Sequence, residues 1–113
     1  MDLDNISSQM RKGSLEFCIL LIISQAETYA SDILTDLKRA DLLVVEGTLY
    51  PILSRLRSNG LLDYSWVESP SGPPRKYYRL TAAGKEQLKT LKQSWQQFTS
   101  SINSLIKDHE KNN

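Results

Sequence analysis

Cysteine and histidine are almost missing from this chain, with one of each in 113 residues. A lone thiol, Cys18, cannot close an internal disulfide, and lying inside an apolar run it reads as a reduced core residue. His109 stands alone in a polar tail, so no metal site is expected. There is no paired set of acids and no glycine-rich phosphate loop. The Ser31-Asp32 pair is the kind that caps a helix start more often than it supplies a nucleophile. These absences exclude the common catalytic designs: no catalytic residue, no metal and no cofactor is expected, and the chain reads as a non-enzyme. Long hydrophobic runs are lacking as well. The longest, Phe17 to Ile23, is far short of the roughly 20 residues that cross a bilayer, and no ordered basic, apolar and small-residue regions mark a secretory signal. A soluble cytoplasmic protein with no membrane association is expected, with room for a single domain core plus an extension.

An excess of either charge is missing too, since the net charge is only +1. Divided along the chain, that balance is uneven. Residues 1–46 hold four basic and eight acidic residues, whereas residues 47–92 hold eight basic (Arg55, Arg57, Arg75, Lys76, Arg79, Lys85, Lys89, Lys92) and three acidic ones. Such polarity lets a near-neutral protein present a basic surface to an anionic partner.

What is present is organised around Val45 to Leu56. At 100° per residue, Leu49, Ile52, Leu53 and Leu56 form one apolar helical stripe. The other face carries Gly47, Pro51, Ser54 and Ser58, flanked by Tyr50 and Arg57 on one side and Thr48 and Arg55 on the other. Small residues, hydroxyls and arginines suit close approach to a phosphate backbone and hydrogen bonding to phosphates and base edges; an ordinary solvated face is richer in Glu and Lys. Strict capping logic makes Thr48 the N-cap, because Pro51 is comfortable only in a first turn; the start itself stays open. Asn59-Gly60 supplies a left-handed C-terminal cap.

Upstream, residues 1–26 read as a helix that becomes apolar nearly all round and so needs cover on more than one side. A second helix, from about Tyr29 to Ala40, places Ala30, Ile33, Leu34 and Leu37 on one stripe with Thr28 as its cap, and Leu42 to Val45 reads as a short strand-like connector. Helix, short connector, helix is the outline of a helix-turn-helix. Downstream, 62–67 and 75–80 alternate as half-buried strands joined by a Pro-rich loop at 69–74, a β-hairpin whose basic Arg75-Lys76 end can reach along a nucleic-acid backbone. Tyr78 and Leu80 share a face with Lys76, while Arg75, Tyr77 and Arg79 point the other way.

Thr81 caps a last helix from Ala82 to about Lys107, in which Leu88, Leu91, Trp95, Phe98, Ile102 and Leu105 follow the 3-4 spacing of a coiled-coil seam. That helix is about 39 Å long, whereas a domain of roughly 80 residues spans only about 30 Å. Its distal half therefore projects and calls for a second copy of the chain as a homodimer; the other way to cover it is a bend back onto the first helix of the same subunit. The expected fold is mainly α with a small β-hairpin, a winged helix-turn-helix plus a long C-terminal helix. Residues 1–81 are the expected DNA-binding domain, 82–108 the dimerisation helix and 109–113 a polar tail.

Several segments together resemble the PadR-like winged-helix transcriptional regulators, in particular the short subfamily with a single C-terminal helix. They are Lys12-Gly13-Ser14-Leu15-Glu16, Glu46 through Leu56, Gly60-Leu61-Leu62, and Gly72 through Gly84, which contains Arg75-Lys76-Tyr77-Tyr78. The resemblance implies a slightly earlier start than Thr48 for the helix that carries Glu46 through Leu56. It also implies a cytoplasmic homodimer that binds double-stranded DNA at an inverted-repeat operator and represses transcription. By position, Gly47, Thr48, Tyr50, Pro51 and Ser54 would face the major groove, and Arg75, Lys76 and Tyr77 would contact the backbone from the wing. Leu91, Trp95, Phe98, Ile102 and Leu105 lie in the expected dimer seam, and Trp95 matches the place where some relatives bind a small aromatic ligand. Where the family often has Tyr-Gly-Tyr-Glu-Ile, this chain has Tyr29-Ala30-Ser31-Asp32-Ile33, which leaves Tyr29 as a phosphate contact. The competing reading is a winged helix that binds a protein partner or small molecule without operator recognition.

Overall fold

The apolar run too short for a bilayer forms the first helix, α1 (Leu15–Gln25). The computed structural model describes residues 14–112 together with Ile6 and Met10, both helical and exposed. The rest of the expected 1–26 helix, including Lys12 and Gly13, lies outside the described residues. Ser14 is not part of α1 but its N-cap, as suits a residue that competes for backbone hydrogen bonds inside helices. Ile19, Leu20 and Ile23 are buried, and Leu15, Phe17, Cys18, Leu21 and Ile22 are half-buried around them.

The second helix, α2 (Ala30–Arg39), buries Ala30, Ile33 and Leu37. Thr28 is not its cap. Tyr29 occupies that position, and Thr28 instead pairs with the hairpin: its N–H donates to Tyr78 O at 3.1 Å, and Tyr78 N–H donates to Thr28 O at 2.8 Å. The loop between α1 and α2 thus gives the hairpin a third neighbour. Asp41 closes α2 in the left-handed region, φ 60°, with Leu42 N–H reaching back to Leu37 O at 2.8 Å, the bonding of a Schellman cap. That closure takes the first residue of the expected strand, and Leu42 to Val45 runs as a connector with no strand beside it.

Helix α3 (Glu46–Ser58) starts before the expected cap: Val45 is the N-cap, and its carbonyl accepts from the N–H groups of both Thr48 and Leu49. Thr48 and Pro51 are therefore inside the helix. Pro51 has no N–H for the carbonyl of Gly47, four residues back, and its ring crowds that same carbonyl. The crowding falls on an exposed glycine with open space around it, where water can take the carbonyl. The helix ends as its sequence predicts, with Gly60 at φ 77° and Leu61 N–H on Leu56 O at 3.0 Å.

Strands β1 (Leu62–Ser69) and β2 (Gly72–Leu80) pair antiparallel, Leu62 opposite Leu80 and Trp66 opposite Lys76. The turn is shorter than the expected six-residue loop. An irregularity between Val67 and Ser69 shifts the register so that Ser69 faces Gly72, leaving Pro70-Ser71 as the turn and placing Pro73 and Pro74 within β2. Prolines are tolerated there because the outer part of the hairpin is all edge.

Helix α4 (Ala82–Lys111) begins as expected, with Thr81 Oγ1 accepting from Gly84 N–H at 3.0 Å. It continues past Lys107, taking in 109–111 of the expected tail. The same hydroxyl donates to Gly60 O at 2.6 Å, and Thr81 N–H donates to Leu61 O at 3.1 Å. Gly84 is buried so close to this loop that an added Cβ would sit 2.1 Å from Leu61 O, so only glycine fits. Leu88 joins the core and Trp95 meets Phe17 of α1, ring centroids 5.9 Å apart. Beyond that the helix leaves the domain instead of bending back, in a molecule 60 Å long and 32 Å across. Phe98, Ile102, Leu105 and Ile106 stay exposed.

Candidate nucleic-acid interface

Packing the stripe Leu49, Ile52, Leu53 and Leu56 into the core turns the opposite face of α3 outward. Gly47, Thr48, Tyr50, Pro51 and Ser54 are all exposed there. Its two arginines are engaged elsewhere: Arg55 Nε donates to Glu16 of α1 at 2.8 Å, and the Arg57 guanidinium lies 4.6 Å from the centre of the Tyr64 ring. Both act as tethers holding α3 against its neighbours.

Between α3, the start of α2 and the wing lies a cleft of about 400 Å³. It is lined by Tyr29, Ala30, Ser31, Tyr50, Trp66, Pro74, Arg75, Lys76 and Tyr78. Four predicted site residues from three separate elements, Tyr29, Tyr50, Arg75 and Lys76, meet there. The lining has two cations and no carboxylate. By contrast, Glu27, Asp32 and Asp36, with Arg39, line a hollow of about 330 Å³ shared with Ile22, Gln25, Ala26, Thr28 and Thr35, so acid is concentrated away from the cleft.

The cations of the cleft rest on rings. Lys76 Nζ is 4.6 Å from the Tyr64 centroid and 5.5 Å from that of Trp66, and the Arg75 guanidinium is 5.6 Å from that of Tyr29. Each such contact is worth roughly 0.5–1 kcal/mol at an exposed site, enough to bias long side chains toward one place while leaving their charge accessible. Tyr77, also predicted for the wing, is half-buried against Tyr29, centroids 4.7 Å apart. Arg79 is bound by Asp63 at 3.2 Å on the far face. Burial pushes the Tyr78 phenol above its ordinary value, helped by Tyr50 and Tyr64 and opposed by Arg57, so it stays protonated at neutral pH.

Residues 19–90 match the profile of the transcriptional regulator PadR-like family. The chain belongs to that family. It is 53% identical to a PadR-like transcription factor from Bacteroides fragilis, whose solved structure superposes with a TM-score of 0.76 over 89% of this chain and 98% of that one. A PadR-like transcriptional regulator from Bacillus cereus is 43% identical, with a TM-score of 0.78 over 87% of this chain and 96% of its own. A PadR family transcriptional regulator from Eggerthella lenta is 29% identical, with a TM-score of 0.79 over 92% and 91%. The PadR-like family and these relatives are transcriptional regulators, not enzymes. Among the described residues no helix is long and apolar enough to cross a membrane, and no three His, Cys, Asp or Glu side chains are grouped to hold a metal ion.

Within this PadR-like chain, Gly47, Thr48, Pro51 and Ser54 continue the exposed face of α3 outside the cleft, and Trp95 is far from it on α4. Trp95 lines a separate, mostly apolar hollow of about 320 Å³ with Ser14, Phe17, Cys18, Leu21, Lys92 and Gln96. Burial raises the Cys18 thiol, with hydrogen bonds from Ser14 and its own backbone opposing. Sequence reasoning did not single out Trp66, which lines the cleft, Tyr64, whose ring lies under Lys76 outside it, or Ser31. The signal for the first two was present: strand alternation puts Tyr64 and Trp66 on one face, and pairing that face with Lys76 and Tyr78 gathers the aromatic-basic wall.

Proposed function

We propose that this chain is a sequence-specific DNA-binding regulator that works as a homodimer on an inverted-repeat operator in the cytoplasm and represses transcription. The observation that carries the reading is the convergence of Tyr29, Tyr50, Arg75 and Lys76 on one carboxylate-free cleft beside the exposed face of α3. Gly47, Thr48, Tyr50, Pro51 and Ser54 enter the major groove, where a helix can reach base edges. Arg75, Lys76, Tyr77 and Tyr29 hold the phosphate backbone, fixing register without reading sequence. Residues 1–81 form the DNA-binding part and 82–108 the dimerisation helix. Leu91, Trp95, Phe98, Ile102 and Leu105 pair with their counterparts in a second copy, a role supported by the exposed apolar stripe of distal α4. A small planar aromatic compound is the effector suited to the apolar hollow beside Trp95 and Phe17, releasing the operator when it binds.

Fluorescence anisotropy with duplexes tiled from the DNA upstream of the protein's own gene, against a scrambled duplex and at several salt concentrations, tests this. One tile should bind at least about a thousandfold more tightly than scrambled DNA. Weak and equal binding to every tile, gone by physiological salt, would leave only the electrostatic term and favour the reading as a partner-binding module.

A further inference from the structure

Of the four aromatic residues in the wing, Tyr78 is buried, Tyr64 and Tyr77 are half-buried, and Trp66 is 62% exposed. An indole left in water midway along a two-stranded hairpin invites association. Its surroundings indicate with what. Trp66 meets Tyr64 edge-on, centroids 5.9 Å apart and planes at 88°, and Lys76 Nζ lies 5.5 Å from its centroid. It also lines the cleft that holds Arg75, Lys76 and Tyr50 and has no carboxylate. A surface with cations spaced around an apolar ring complements a polymer whose anionic phosphates alternate with apolar sugar faces, and duplex DNA is that polymer.

We propose that Trp66 is a further DNA-contacting residue, packing its ring against the deoxyribose backbone beside the phosphates held by Arg75 and Lys76. The proposal rests on the regulator reading above and adds to it an uncharged contact. Phosphate contacts release counterions and weaken steeply with salt; a ring on a sugar releases none. Trp66 therefore holds the wing on DNA under conditions in which the lysine and arginine contacts have weakened.

The distinguishing measurement is affinity against salt, using the upstream duplex tile that the unaltered protein binds most tightly. Trp66→Ala should bind about tenfold more weakly, the scale of one apolar side chain no longer buried, with the slope of log affinity against log salt unchanged. Trp66→Phe, which keeps a ring, should bind within about threefold of the unaltered protein, because most of that apolar area is retained. The chain has two tryptophans, so protein grown with 5-fluorotryptophan gives two fluorine resonances. The one missing from Trp66→Phe belongs to Trp66, and it should shift when the duplex is added. Undiminished affinity in Trp66→Ala together with an unmoved resonance overturns the proposal. A loss of affinity accompanied by a slope lowered by about one, the signature of a missing phosphate contact, also overturns it, because the effect then runs through Lys76. If the unaltered protein binds no tile above scrambled DNA, the regulator reading fails and this one with it, an outcome distinct from the other two.

Discussion

Helices α3 and α4 carry apolar stripes written in the same helical period, yet the stripes have different fates. Leu49 and Leu53 of α3 are 0% and 1% exposed, whereas Phe98 and Leu105 of α4 are 57% and 69% exposed. The difference is one of length. Thirteen residues make α3 about 20 Å long, less than the width of the domain, so its stripe finds cover in its own chain; the thirty of α4 make about 45 Å, and the far half outruns that cover. Periodicity marks a face that burial would favour, while geometry decides whether the same chain can cover it.

The contrast can be broken most forcefully from its buried side. Leu53→Ala should remove about 2–5 kcal/mol of stability through the cavity it leaves, read from urea unfolding; a stability near that of the unaltered protein would mean the α3 stripe is not the core it looks like. On the exposed side, Phe98→Asp should leave the domain folded by circular dichroism but weaken self-association at least about a hundredfold, the scale of an interface hot spot. An intact dimer in sedimentation would remove α4 as the pairing element. The outward face of α3 sharpens the comparison further. Tyr50→Ala should melt within about 0.5 kcal/mol of the unaltered protein, as surface changes do, while losing about tenfold or more in operator affinity, as one lost base contact costs; normal operator binding would remove Tyr50 from the interface. Smallest is Lys76→Ala, expected to weaken all duplexes alike and lower the salt slope by about one, which anisotropy at several salt concentrations measures directly.

How much of this was legible in the sequence depended on how local the cause was. The Gly60 cap, the Thr81 cap and both helical stripes rest on neighbouring residues and could be read directly. The start of α3 could not be read from local capping, because Pro51 argued for a cap at Thr48; the family resemblance pointed to the earlier start, and the folded chain shows why it works, with an exposed Gly47 and an extended Val45 that make an interior proline tolerable. Thr28 looked like a cap because its partner, Tyr78, is fifty residues away. The cleft was half legible: Tyr29, Tyr50, Arg75 and Lys76 were each identified singly, but their meeting depends on the wing lying against the start of α2. Trp66 was passed over because alternation says only that its strand is half-buried, and its 62% exposure depends on how the hairpin sits on the domain.

The contact of Gly84 with Leu61 has a mechanical consequence. Backbone lies on backbone there, and Thr81 fastens the same joint to Gly60 at the end of α3. Helix α4 is therefore a lever with its fulcrum at the end of α3, its short arm packed on the domain and its long arm beyond it. Were two copies to pair through the long arms as proposed, a change in how those arms cross would arrive at α3 as a tilt, and substitutions between Phe98 and Leu105 would then alter the spacing of the two α3 helices without touching a nucleotide.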